Sequence, residues 1–138
     1  MHRKNEMQSA VQIAIAVALL HTAAFFAHAW AHRIVPVEPT PFQLYFATAV
    51  AGLAPVIAAI MLAKRRVRLG GAMLLVAGIA AVWFGVANHY VIPSADNIAS
   101  VPATPAGALF RSSAHALTAT EIAAIALGAF LLGGAKPH

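Results

Sequence analysis

Residues 10–32 read AVQIAIAVALLHTAAFFAHAWAH, and this stretch decides the fold because it is long and apolar enough to cross a membrane. A helix that spans a bilayer takes about 20 predominantly apolar residues. Three histidines, His21, His28 and His32, interrupt the apolar run. Ionisable side chains are costly inside a membrane and normally face a protein interior or a functional site. The stretch therefore predicts a transmembrane helix whose histidines mark a site.

Three further stretches have the same character. We therefore predict an all-α integral membrane protein, a single domain over residues 1–138, folded as an up-down-up-down four-helix transmembrane bundle. The predicted spans are about 10–32, 42–63, 69–91 and 114–133, joined by outer loops 33–41 and 92–113 and a cytoplasmic turn 64–68. Pro55 predicts a kink in the second span, which neighbouring helices can tolerate in a membrane.

The composition agrees with a lipid environment. Hydrophobic residues make up 61% of the chain and charged residues 9%, against about a quarter charged in soluble proteins. The mean hydropathy is +0.78. There is no cysteine, which excludes disulfides, thiolate metal ligands and thiol catalysis.

The cations predict the orientation. Seven of them fall on one side of the predicted spans and two on the other, so the N- and C-termini and the 64–68 turn should be cytoplasmic. The seven are Arg3, Lys4, Lys64, Arg65, Arg66, Arg68 and Lys136, and the two are Arg33 and Arg111. This predicts a multi-pass protein of the inner (plasma) membrane. Because the net charge of +5 collects at helix ends, no nucleic-acid partner is expected.

An alternative concerns the first span. Arg3 and Lys4, the apolar run after them and the small residues around Ala29 also describe a cleavable signal peptide. Cleavage near Ala29 would remove His21 and His28 and leave three spans.

The spacing of small residues predicts which faces of the helices pack against each other. On the third span Gly71, Gly78 and Gly85 stand seven residues apart, a spacing that lets another helix approach closely in lipid. His89 continues this seam and should point into the bundle. Glu121 is the acid within the fourth span and needs a partner or a proton there.

The polar side chains collect at the outer ends of the spans. This predicts an outward-facing pocket, roofed by loop 92–113, whose ligand groups are His28, His32, His89, His115 and Glu121. The side chains expected to support them are His21, Asn88, Asp96, Asn97 and Thr118. His28 and His32 are neighbours on the helix surface, because they stand at positions i and i+4.

Imidazole and carboxylate groups suit copper, zinc or iron, and a pair of histidines suits haem b. We therefore expect a non-catalytic accessory subunit that binds a transition metal or haem in a membrane redox or metal-handling complex. Its partners would be the lipid bilayer and other membrane subunits or further copies of the chain. A proton-coupled small-molecule transporter that uses Glu121 is the alternative. A purely structural subunit, with histidines in the headgroup zone, is the third reading.

Overall fold

The computed structural model describes residues 2–134, and side chains from residue 5 onward. Within this range the protein is helical and has no strand. The elements are α1 (His2–Ile34), α2 (Pro41–Phe46), a π-helix (Ala47–Leu53), α3 (Ala54–Ala63), α4 (Val67–Val86), a second π-helix (Ala87–Val91) and α5 (Pro105–Gly134). Lys136, the side chains of Arg3 and Lys4, and both termini lie outside the described part.

Four spans are long and apolar enough to cross a membrane, so the predicted helical membrane protein is confirmed at that level. They are Asn5–Ile34, Pro41–Ala63, Val67–Val91 and Pro105–Gly134. The fourth helix begins nine residues before the predicted span, so the loop before it covers only residues 92–104. The difference arises at Pro105, which was predicted to lie in a loop. It stands in the first turn of the helix, where its missing N–H costs nothing. The Thr104 hydroxyl accepts a hydrogen bond from the Gly107 N–H at 3.1 Å and caps this turn.

Small residues bring α4 and α5 into backbone contact, as the glycine spacing predicts. A Cβ on Gly128 of α5 would lie 2.7 Å from the Gly71 carbonyl oxygen and 2.7 Å from the Leu75 nitrogen. A Cβ on Gly78 would lie 3.2 Å from the Glu121 carbonyl oxygen. In lipid, where the apolar solvent drives no association, this close van der Waals packing holds helices together.

The second span is divided at Pro55. In its second half, Pro55, Ala58, Ala59 and Leu62 are buried in the bundle. In its first half, none of residues 41–53 is buried. Proline has no N–H, and the widened π-helical turns of residues 47–53 lie directly before it. The first half of this span packs on α4, where the Phe46 ring stacks on Phe84 at 4.5 Å between centroids, but it is less deeply buried than the second half.

The 92–104 loop folds back over the ends of α1 and α5. Val101 of this loop is buried with Ala31, Val35 and Val37 of the first span and its following turn, and with Phe110 of α5. This packing fixes the loop over one end of the bundle, which we call the histidine end because His28, His32 and His89 lie beneath the loop.

Candidate functional site

Three imidazole rings surround one phenyl ring at the histidine end. The centroids of His28, His32 and His89 lie 4.7, 4.9 and 5.8 Å from that of Phe110. The His28 ring meets both other imidazoles edge-on, each at 4.8 Å between centroids. The structure thus brings together three of the four histidines that were predicted as ligands, two from the first span and one from the third.

The hydrogen bonds of Ser113 determine which nitrogen of His28 carries a proton. The Ser113 hydroxyl has one proton, and it donates to a carbonyl of its own helix, Leu109 at 2.7 Å or Phe110 at 3.0 Å. Its oxygen therefore accepts from Nδ1 of His28, 3.0 Å away. In the neutral ring Nε2 is then an unprotonated acceptor. This atom is enclosed and has no hydrogen-bond partner among the described residues.

Asp96 joins the other two histidines from the loop above. Nδ1 of His32 donates to the Val37 carbonyl at 3.0 Å, so its Nε2 faces Oδ1 of Asp96 at 3.5 Å. Nδ1 of His89 donates to the Asp96 carbonyl at 3.0 Å and lies 3.4 Å from Oδ1. Nε2 of His32 and Nδ1 of His89 thus both face Oδ1 of Asp96, and this enclosed oxygen has no hydrogen-bond partner among the described residues.

The histidine cluster changes the pKa of the Asp96 carboxyl group. Burial raises its pKa, but the contact with His89 and the charges of the nearby histidines outweigh burial and hold the pKa of Asp96 below its usual range. The carboxylate form is therefore the one that the folded loop favours.

A cavity of about 740 Å³ opens beside the cluster, between α1, the first half of the second span, α4 and α5. Three of the four acids of the chain line it, Glu38, Asp96 and Glu121, and one of the nine Lys and Arg residues, Arg33. With neutral histidines the lining carries a formal charge of −2, in a chain whose net charge is +5. The cavity is thus an acidic chamber in a basic protein.

Glu121 lies in the deep part of this cavity. Its side chain is 5% exposed, and among the described residues no hydrogen bond or ion pair reaches its carboxyl group. Gly85 leaves room opposite, since a Cβ there would lie 3.9 Å from Oε2 of Glu121. A separate void of about 10 Å³, lined by His21 and Pro55 among others, also reaches Glu121. A void of that size holds at most about one water, so the open space narrows sharply at this carboxyl group.

His21 lies deeper and has a structural task. Pro55 cannot donate to the carbonyl four residues before it, which belongs to Ala51. Nε2 of His21 donates to that carbonyl at 2.9 Å, and its Nδ1 lies 2.9 Å from the Thr120 hydroxyl. The ring thus joins three spans and replaces the hydrogen bond that Pro55 removes.

The remaining predicted residues are dispersed. His115 is exposed on the far side of α5 and its Nδ1 lies 2.9 Å from the Tyr90 hydroxyl, so it does not join the cluster. Asn88 accepts from the Gln43 side chain at 2.9 Å and connects the second and third spans. Asn97 orders the loop through its bond to the Ile92 carbonyl. Of these, only Thr118 lines the cavity.

Ser113 and Phe110 were not predicted as site residues, and Asp96 was expected only to support the ligand groups. Ser113 lies two steps of four residues before Glu121, which places the two side chains about 80° apart around the helix. Both therefore fit within the broad stripe of about 100° that an amphipathic helix buries, and this is the signal that could have found Ser113. Nothing in the pattern indicated that the loop would turn Asp96 inward. Among residues 5–134, no three His, Asp or Glu side chains have the arrangement of a metal site.

No protein-family profile, no curated protein and no solved structure matches the chain.

Proposed function

We propose that the protein is a proton-coupled transporter of small organic cations, with Glu121 as the group that holds either the cation or a proton. The four spans alternate in direction, and the termini and the 64–66 turn lie in the cytoplasm, because cytoplasmic segments carry the excess of Lys and Arg. The cavity then faces outward from the inner membrane.

The observation that carries this proposal is the unpartnered carboxyl group of Glu121 at the closed end of an acidic cavity. A carboxylate within a membrane span is costly unless a cation or a proton neutralises it. The two acids of the chamber that are not exposed, Asp96 and Glu121, offer negative charge to a cation. The volume of the chamber lies in the range of about 300–1,000 Å³ that small-molecule sites occupy. The rings of Phe25, Phe46 and Phe84 line the same cavity, with Phe46 and Phe84 stacked at 4.5 Å between centroids, and give it aromatic surface for an organic cation.

The test is calorimetric titration of the purified protein with tetraphenylphosphonium, in two buffers that differ in ionisation enthalpy. The difference between the buffers gives the number of protons released. For wild type we expect saturable binding with proton release. Glu121→Gln should bind at least about tenfold more weakly, as expected when one partner of a desolvated charge pair is removed, and should release no proton.

Glu38→Gln is the matched control, because Glu38 lines the exposed rim of the same cavity. We expect its affinity and proton release to stay within about twofold of wild type, since exposed charges contribute little. Equal binding and equal proton release in wild type and Glu121→Gln would overturn the proposal.

A metal-binding accessory subunit of a redox or metal-handling complex is the second candidate, and one observation favours it. His28 and His32 each engage Nδ1 with a protein acceptor, so their Nε2 atoms make no hydrogen bond within the described part of the chain, and Nε2 of His32 lies 3.5 Å from Oδ1 of Asp96. Copper, zinc and iron accept such donors. The rings of His28 and His32 would have to turn for their Nε2 atoms to bind one metal ion. To bind a haem b, the rings that enclose Nε2 of His28 would have to move aside.

Metal analysis and an absorption spectrum of the purified protein test this candidate. It requires a bound metal, or a Soret band for haem, that is lost in His28→Ala and kept in His115→Ala, whose ring lies outside the cluster. Protein without metal and without a Soret band overturns it. If the titration above is also negative, the structural-subunit reading is left.

A further inference from the structure

We infer that the cation is amphipathic and reaches the cavity from the lipid, through the gap between α1 and the first half of the second span. This inference rests on the proposed function and adds the class of ligand and its route.

The gap is bounded by residues of two spans that do not close on each other. Ala29 of α1 and Leu44 and Thr48 of the second span all line the cavity, yet all three are exposed. They lie inside apolar spans, at Asn5–Ile34 and Pro41–Ala63, so the opening between them faces lipid. A ligand dissolved in the bilayer therefore meets the cavity from the side.

The shape of the second span keeps the gap open. From Pro55 to Ala63 the span packs into the bundle, whereas none of residues 41–53 before it is buried. His21 holds the Ala51 carbonyl at the dividing point, and Gln43 holds the far end through its 2.9 Å bond to Asn88. The first half of the span is thus tied at both ends, and between these ties Leu44 and Thr48 remain exposed and line the cavity.

The lining changes character along the route. Phe25 of α1 and Leu44 of the second span line the cavity from the two helices that bound the gap, and Thr118 and Glu121 line it from α5. A molecule that fits this order has an apolar or aromatic body and one positive charge. A fully hydrated small cation gains nothing from the apolar lining and has no solubility in the lipid that the gap faces.

The chain has no cysteine, so single cysteines can be placed without background. Thr48→Cys puts a thiol in the gap. Ala49→Cys is the matched control, because Ala49 is the next residue on the same helix and is exposed but does not line the cavity. Both variants are reconstituted in lipid nanodiscs and labelled with a bulky maleimide, and the association rate of tetraphenylphosphonium is measured before and after labelling.

We expect the label on Thr48→Cys to slow tetraphenylphosphonium association at least about tenfold, and the label on Ala49→Cys to change it by less than about twofold. Tetramethylammonium, which is too polar to partition into lipid, should bind at least about tenfold more weakly than tetraphenylphosphonium.

Three results would overturn the inference. Unchanged association in labelled Thr48→Cys places the route elsewhere, and equal affinity for the two cations rejects the amphipathic ligand. If unlabelled Thr48→Cys forms a disulfide with a second copy while Ala49→Cys does not, the gap is a contact between chains. In each case binding with proton release at Glu121 can still hold, whereas a failure of the proposed function itself appears as no binding of either cation to wild type.

Discussion

Gly128→Ala tests whether backbone contact between α4 and α5 holds the bundle together. The added Cβ would lie 2.7 Å from the Gly71 carbonyl oxygen and from the Leu75 nitrogen, and 3.0 Å from the Leu75 Cβ. Ordinary van der Waals contact begins at 3.4 Å. Because the first two atoms belong to the α4 backbone, no side-chain rotation relieves the overlap, and the helices must part by about 0.7 Å.

The energetic effect follows from that displacement. A gap of about 0.5–1 Å forfeits a quarter to a half of the attraction between facing atoms, and overpacking a tight interior costs about 1–3 kcal/mol. The unfolded chain in detergent keeps much of its helix, so the better helix propensity of alanine offsets little. We expect the free energy of unfolding to fall by about 1–3 kcal/mol.

The assay is unfolding by SDS in mixed micelles, followed by circular dichroism and tryptophan fluorescence. Gly133→Ala is the control, because a Cβ there has no atom within 4 Å, and its free energy of unfolding should change by less than about 0.5 kcal/mol. If Gly128→Ala unfolds at the same SDS mole fraction as wild type, the helices are not in the contact described and the reasoning fails.

Three further predictions concern the histidine cluster and its loop. Ser113→Ala removes the acceptor of a buried imidazole N–H and should lower the free energy of unfolding by about 1–3 kcal/mol. Ser112→Ala, at an exposed neighbour, should change it by less than about 0.5 kcal/mol, and equal losses in the two variants would contradict the contact. Contact with His89 holds the pKa of Asp96 below its unfolded value of about 3.9. The carboxylate therefore contributes its full stabilisation above that pH, and this stabilisation is lost as the pH falls through the lower pKa of the folded state. Asp96→Asn should lack this loss in SDS titrations at decreasing pH, and an identical acid dependence would rule the contribution out. Gly107→Ala would place a methyl group on a backbone carbonyl of the 92–104 loop; faster amide exchange in that loop is expected, and unchanged exchange would show that the loop does not pack there.

Part of the site was predictable because helices impose fixed angles. His28 and His32 stand four residues apart and therefore share a face, and His89 continues the glycine seam into the bundle. His115 shows the limit of reasoning from depth alone, since it lies 200° around the helix from Ser113 at 100° per residue and faces outward. His115 was predicted as a ligand because it lies at a similar depth to the other histidines. Its side chain points away from them, so it does not belong to the cluster.

Hydropathy is a local property of the chain, so the sequence by itself determined that four helices are long and apolar enough to cross a membrane. It also determined that His28, His32 and His89 lie near the ends of these spans and His21 deeper. Which side chains meet depends on contacts between segments far apart in the chain. Asp96 reaches the histidines because the loop packs through Val101 onto Phe110. The cavity exists because Pro55 divides the second span and His21, from another helix, satisfies the carbonyl that proline leaves free. Only the tertiary structure decides such features, because each needs the spatial positions of at least two helices.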